Sequence, residues 1–216
     1  MAYSNFTIAE LEKRFGLNIV PAWDMFKDVP AETISNHLAE TLAESVPLAL
    51  AIGTEKAKSE WIVAPMLTEL RKLFNHQISI FSGTEFNVDA ENGLTGTCDF
   101  MITHSTQQLT IEAPVISLVE AKNDNLKSGL PQCLAEMVAA QKFNERENFA
   151  VDSIFGAVTT GSAWNFIKLT QRTARVDWRE YSIENPAKIL GILKSMIESS
   201  GSSTSTGTNQ SVENKL

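Results

Sequence analysis

Three residues in the sequence have the types and spacing to handle a phosphate together with a cation: Asp99, Glu120 and Lys122. Glu120 and Lys122 stand on either side of Ala121, at the end of the run V-I-S-L-V over residues 115–119. Short apolar runs of this kind form strands buried on both faces. Side chains alternate along a strand, so Glu120 and Lys122 point the same way, roughly 7 Å apart, while Ala121 points toward a helix layer. A carboxylate in that position is costly unless it is exposed, paired or bound to metal. Asp99 lies on the strand expected to leave the Asn92-Gly93 turn. If that strand runs beside the apolar one, Asp99 and Glu120 can share a hard cation through oxygen ligands. Magnesium, with manganese as a substitute, suits such a pair because it keeps several waters and needs only one or two carboxylates plus a substrate phosphate. Lys122 would then orient or deprotonate the attacking water and offset charge on the pentacovalent phosphorus.

The elements that must position these groups follow from the pattern. Thr7 and Glu10 make a capping box for a short first helix that stops at Gly16. Apolar stripes predict helices over residues 31–50, with Pro30 at the first turn, and 55–74, with Val63, Leu67, Leu70 and Phe74 on one side. Alternation from residue 78 to 88, then Asn92-Gly93 with positive φ at both turn residues, then residues 94–103, predicts a hairpin. A helix over 130–144 starts at Pro131. Strands are expected at 153–160, 164–169 and 173–178, with a closing helix over 186–198. Residues 199–216 are too rich in Ser, Thr, Gly and Asn to order themselves and read as a disordered tail. Helices, a hairpin, a strand, a helix and further strands predict an α/β sandwich on a mixed sheet, with the hairpin antiparallel and the crossover parallel. Residues 1–198 read as one domain.

The pattern D-F-M-I from Asp99, E-A-K from Glu120 to Lys122 and a following helix opening P-Q-C-L-A-E resembles the core of the PD-(D/E)XK superfamily, over roughly residues 55–160. The resemblance implies a restriction-endonuclease-like α/β sandwich, its central mixed sheet flanked by helices, and metal-dependent cleavage of DNA, less often RNA. It implies a catalytic role for Gln132 and a further metal-binding Glu on the helix before the sheet, Glu60 or Glu69. These two are nine residues apart and face opposite sides of the helix. Glu60 is preferred, because it stands near the helix start and shares a side with Val63 and Leu67. Glu136, one turn beyond Gln132, either supports it or faces solvent. The family's proline-aspartate is Cys98-Asp99 here, a departure that removes no metal ligand. A homodimer is implied as well, since such domains often pair to cut both strands. Some members of the superfamily bind without cutting, which leaves a catalytically silent binding or assembly module as the alternative.

Composition bounds these readings. A net charge of −8 counts against bulk electrostatic attraction to nucleic acid, yet acidic metal sites look acidic only until their ions bind. Two cysteines, Cys98 and Cys133, without a CxxC spacing, make a disulfide framework or cysteine-rich zinc site unexpected and fit a cytoplasmic protein. Cys98 is expected on the face of its strand opposite Asp99, in the core, and Cys133 is read as packing. Trp61, Trp164 and Trp178 are assigned to the core or to a dimer contact. No apolar stretch is long enough to span a bilayer. There is no glycine-rich phosphate loop, so P-loop nucleotide hydrolysis is excluded.

Overall fold

The apolar run around residues 115–119 forms strand β4 (Val115–Ala121), buried at all seven positions in a computed structural model that describes residues 2–123 and 125–200. The other strands are β1 (Asn18–Ala22), β2 (Ser79–Glu85), β3 (Thr97–Thr103), β5 (Ile154–Thr159), β6 (Ala163–Thr170), β7 (Thr173–Asp177) and β8 (Tyr181–Ser182). They form one mixed sheet in the order β1-β7-β6-β5-β4-β3-β2, with β8 beside β6. β1–β7 and β4–β5 pair in parallel, and the remaining pairs are antiparallel.

Helices cover both faces, because strands with alternating apolar residues offer two surfaces to bury. Along β5, Ile154 and Val158 join the apolar cluster of α1 (Ile8–Phe15) and α5 (Leu126–Arg146). Phe155 and Ala157 join the cluster of α2 (Asn36–Ile52), α4 (Ala64–Leu73) and α6 (Pro186–Ser200). The expected α/β sandwich is the architecture observed. Among the described residues, no helix is long and apolar enough to cross a membrane.

Several boundaries differ from expectation, each for a local reason. The second helix starts at Asn36 rather than near Ala31, because Ser35 takes the cap by accepting the Leu38 amide hydrogen. The third helical stretch is α3 (Glu55–Lys58), a wider π segment (Ser59–Val63) and α4. Helix α5 begins at Leu126, capped by the Asn125 side chain, so Pro131 lies inside it. Of the Asn92-Gly93 pair, only Gly93 has positive φ. The turn is a four-residue loop between Asp89 and Leu94, and the Asp89 carboxylate accepts the Asn92 amide hydrogens. Strand β1 was not expected; its Pro21 is tolerated because β1 lies at the sheet edge and pairs only with β7. Helix α6 extends through Ser199 and Ser200, the first two residues of the expected tail. Residues 201–216 lie outside the described residues.

Candidate active site

Asp99 and Glu120 meet where a ladder ends. Strands β3 and β4 pair from Thr103 to Phe100 against Val115 to Val119, and Asp99 follows beside Glu120. There the Asp99 side chain takes over from the backbone: its Oδ2 accepts the Ala121 amide hydrogen at 2.8 Å. Asp99 and Glu120 are electrostatically coupled, the Asp99 charge being one of the causes that raise the Glu120 carboxyl.

Glu120 is only 1% exposed. Its Oε1 accepts the Lys122 ammonium at 2.5 Å, and its Oε2 is buried without a partner. Burial first, and then the Asp99 charge, push the Glu120 carboxyl up to about 8, outweighing the attraction of Lys122. Burial also raises Asp99, against the opposing pull of the Ala121 hydrogen bond and Lys122. At Lys122 burial favours the neutral amine, but the Glu120 charge and hydrogen bond prevail and raise the pKa. In the absence of a bound cation the site therefore holds an extra proton on its carboxyl pair beside a charged ammonium.

Lys122 is positioned by close packing. Its amide hydrogen bonds the Thr159 carbonyl at 2.7 Å, continuing the β4–β5 pairing past the strand end. A Cβ added at Gly129 of α5 would lie 2.8 Å from the Lys122 Cγ and 2.6 Å from the Val158 Cγ1. Only glycine lets the helix come down onto the lysine stem at this point. The next loop is held too, since the buried Lys58 donates its ammonium to the Asn123 carbonyl at 2.5 Å.

From Lys122 the polar chain runs inward along α5. The ammonium also donates to the Gln132 Oε1 at 3.3 Å, and the Gln132 amide donates to the Glu136 Oε1 at 3.1 Å. Gln132 thus bridges Lys122 and Glu136. Glu136 does not face solvent; it is wholly buried, and its Oε2 has no partner. Burial, followed by the Glu120 charge, drives its pKa well above the usual range. Its place was legible as an i, i+4 neighbour of Gln132 on one helix face.

The helix carboxylate expected at Glu60 is elsewhere. Glu60 is exposed and bonds Lys56 at 2.6 Å. Glu69 is buried, but it serves the fold: its Oε1 accepts the Ser35 amide hydrogen at 2.9 Å, bracing the start of α2. Burial works against the Glu69 charge, yet the Ser35 hydrogen bonds outweigh it and hold the carboxyl below its ordinary range. The helix acid within electrostatic reach of both Glu120 and Lys122 is Glu55, in the first turn of α3. Glu60 lies five residues on, rotated away by about 140°. Nothing in the apolar pattern distinguishes Glu55 as the inward residue.

Cys98 and Cys133 are free and buried, as expected of core residues. Cys98, however, shares the α5-side cluster with Cys133. Burial, then the Glu136 charge, raises both thiols, so neither is a poised thiolate nucleophile. Trp164 is core, whereas Trp61 and Trp178 are partly exposed.

The residues at the sheet edge fit a hard divalent cation in one specific respect. Two neighbouring carboxyls on paired strands, one with an unpartnered buried oxygen, offer an oxygen donor pair to a cation. They do not form an all-protein cage: among the described residues, no group of three or more His, Cys, Asp or Glu side chains converges to hold a metal. No known family model matches the chain, and no curated protein matches it either.

Proposed function

We propose that this protein is a divalent-metal-dependent phosphodiesterase of the PD-(D/E)XK type, acting on nucleic acid and in the first instance on DNA. The observation that carries this reading is the placement of Asp99 and Glu120 side by side on the paired strands β3 and β4, with the Lys122 ammonium held against Glu120. Asp99 and Glu120 would hold magnesium, or manganese in its place, with Glu55 close enough to add negative potential. Bound there, the ion supplies Lewis-acid polarisation of the phosphate and a more acidic water.

The chain's own residues divide the remaining work. Ala121 holds Asp99 in place through its amide hydrogen. Lys122, gripped between Gly129 and Gln132, presents a positive charge where a phosphoryl group gains negative charge. Gln132 fixes the direction of that ammonium, and Glu136 fixes Gln132. The buried setting raises the weight of each of these interactions relative to water. A second copy of the chain would serve the opposite strand of a duplex, and the free thiols suit a reducing compartment such as the cytoplasm.

The test is nicking of supercoiled plasmid, and of an RNA of similar length, with magnesium or manganese and with chelator. Wild type should cut only with metal, while Glu120→Gln and Lys122→Gln should lose at least about a hundredfold in rate, the scale of a lost charge stabiliser. Equal trace activity in all three proteins would reject the reading. A second reading, a silent binding module, is favoured by the lack of a third converging acid among the described residues and by the ammonium already closed on Glu120. Metal-independent binding of an oligonucleotide that is never cut would select it.

A further inference from the structure

Two tryptophans stand out of the surface on the same sheet edge as the carboxyl pair. Trp23 follows β1 and is 74% exposed; Trp178 follows β7 and is 41% exposed. The two strands are parallel, with Ala22 opposite Asp177, and the Trp178 amide hydrogen bonds the Ala22 carbonyl at 3.0 Å. The tryptophans therefore occupy neighbouring positions just past paired strand ends. Following the pairings across the sheet, β1, β7, β5 and β4 all run the same way. Their C-terminal ends, and hence Glu120 and Lys122, share one edge, with β7 three strand spacings, or roughly 14 Å, from β4.

One buried carboxylate holds this pair of loops rigid. Asp177, fully buried, accepts the amide hydrogens of Asp24 and Met25 at 2.8 Å each, that of Arg179 at 3.1 Å, and the Tyr181 hydroxyl at 3.1 Å. Asp24, next to Trp23, sits at a φ of 57°, a strained value for a non-glycine residue, and is further tied to Arg179 at 2.8 Å. A clamp of this kind, with backbone strain retained, on the segment that carries a solvent-facing indole marks a presented surface. Lys127, in the first turn of α5 and five residues past Lys122, reaches over the Trp178 ring at 5.4 Å. It links the carboxyl edge to the aromatic one.

We infer that Trp23, Trp178 and Lys127 form a stacking platform for unpaired bases of the nucleic acid whose backbone enters the carboxyl site. The choice of occupant rests on the phosphodiesterase reading. Stacking on an indole is indifferent to base identity, so an exposed indole pair accepts any unpaired base. A duplex keeps its base faces covered and is gripped through many phosphates, so a single-stranded or frayed segment is the occupant that matches this surface. Lys127 supplies one phosphate contact.

The experiment is fluorescence anisotropy of a labelled oligothymidylate and of a duplex of equal length, in chelator so that no cleavage occurs. The proteins are wild type, Trp23→Ala, Trp178→Ala and Lys127→Ala. Single strand should bind more tightly than duplex, and each tryptophan variant should lose roughly fivefold or more in affinity. The dependence of log affinity on log salt should have a slope of about −1 or shallower, as one or so phosphate contacts predict. Unchanged affinity in both tryptophan variants, a preference for duplex, or a slope steeper than about −3 overturns the platform. So does binding of a protein partner, but not of oligonucleotide, to this face. Plasmid nicking separates the two ideas: cutting by wild type with tryptophan variants of normal affinity sinks the platform alone. Loss of oligonucleotide binding in those variants, when wild type never cuts, sinks the phosphodiesterase and keeps the platform.

Discussion

Replacing Glu120 by Gln should make the metal-free protein more stable at alkaline pH, although it removes an ion pair. Burial raises the Glu120 carboxyl from its ordinary 4.5 to about 8. The folded chain therefore keeps a proton that the unfolded chain releases over that interval. The stability tied to this group is complete below pH 4.5 and is lost as pH climbs to about 8. At about 1.4 kcal/mol per pH unit, the loss by about pH 7.5 approaches 4 kcal/mol, an upper bound for a group that shares its environment with Lys122 and Asp99. Gln has the shape of the protonated acid and does not titrate, so the variant escapes the penalty. Losing the Glu120 charge also relieves Glu136, which adds to the advantage of the variant. Urea unfolding in chelator, at intervals between about pH 4 and 8.5, reads the difference directly. The two proteins should match near pH 4 and diverge upward, with the variant ahead by at least about 2 kcal/mol at the alkaline end. A variant that is less stable than wild type at every pH refutes the claim that burial outweighs the lysine. Magnesium should narrow the gap by stabilising wild type alone.

Other changes test the supports of the site. Gly129→Ala gains helix propensity of up to about 1 kcal/mol but meets Val158 and the Lys122 stem, so a net loss of about 1–2 kcal/mol in urea unfolding is expected. Cleavage should fall further than that, because the lysine is displaced; an active, stabilised variant contradicts the packing argument. Glu60→Gln should leave metal-dependent cleavage within about twofold, as expected of an exposed ion pair. Glu55→Gln, by removing a charge that raises both Glu120 and Lys122, should shift the pH profile of cleavage to lower pH. Asp177→Ala strips the acceptor from four donors and should cost about 3 kcal/mol or more in unfolding free energy.

What could be read in the sequence was whatever depends on local period. Alternation along 115–122 put Glu120 and Lys122 on one face, and a hairpin preceding a buried strand placed Asp99 beside them; the pairing of β3 with β4 has that form. Gln132 came from the family resemblance alone, on a helix that starts at Leu126 rather than Pro131. What escaped depends on packing that no short pattern encodes. Glu55 rather than Glu60 approaches the site because of the way α3 and its π segment sit on the sheet, and both lie on plausible helix faces. Gly129 reads as an ordinary weak helix residue until α5 is laid over Lys122. Pro30 and Pro131 suggested helix starts, but Ser35 and Asn125 supplied the side-chain caps that set them. Trp178 reads as core or as a dimer contact, and the position of its strand end leaves it half in solvent rather than in the core.

The most direct test of the carboxyl pair as a cation site is a crystal grown in chelator and then soaked in manganese, measured for anomalous scattering. An anomalous peak within about 2.5 Å of both the Asp99 and Glu120 carboxylates is the predicted result, with no peak there in Glu120→Gln crystals. Density restricted to other surfaces, with none between the two acids, would contradict it.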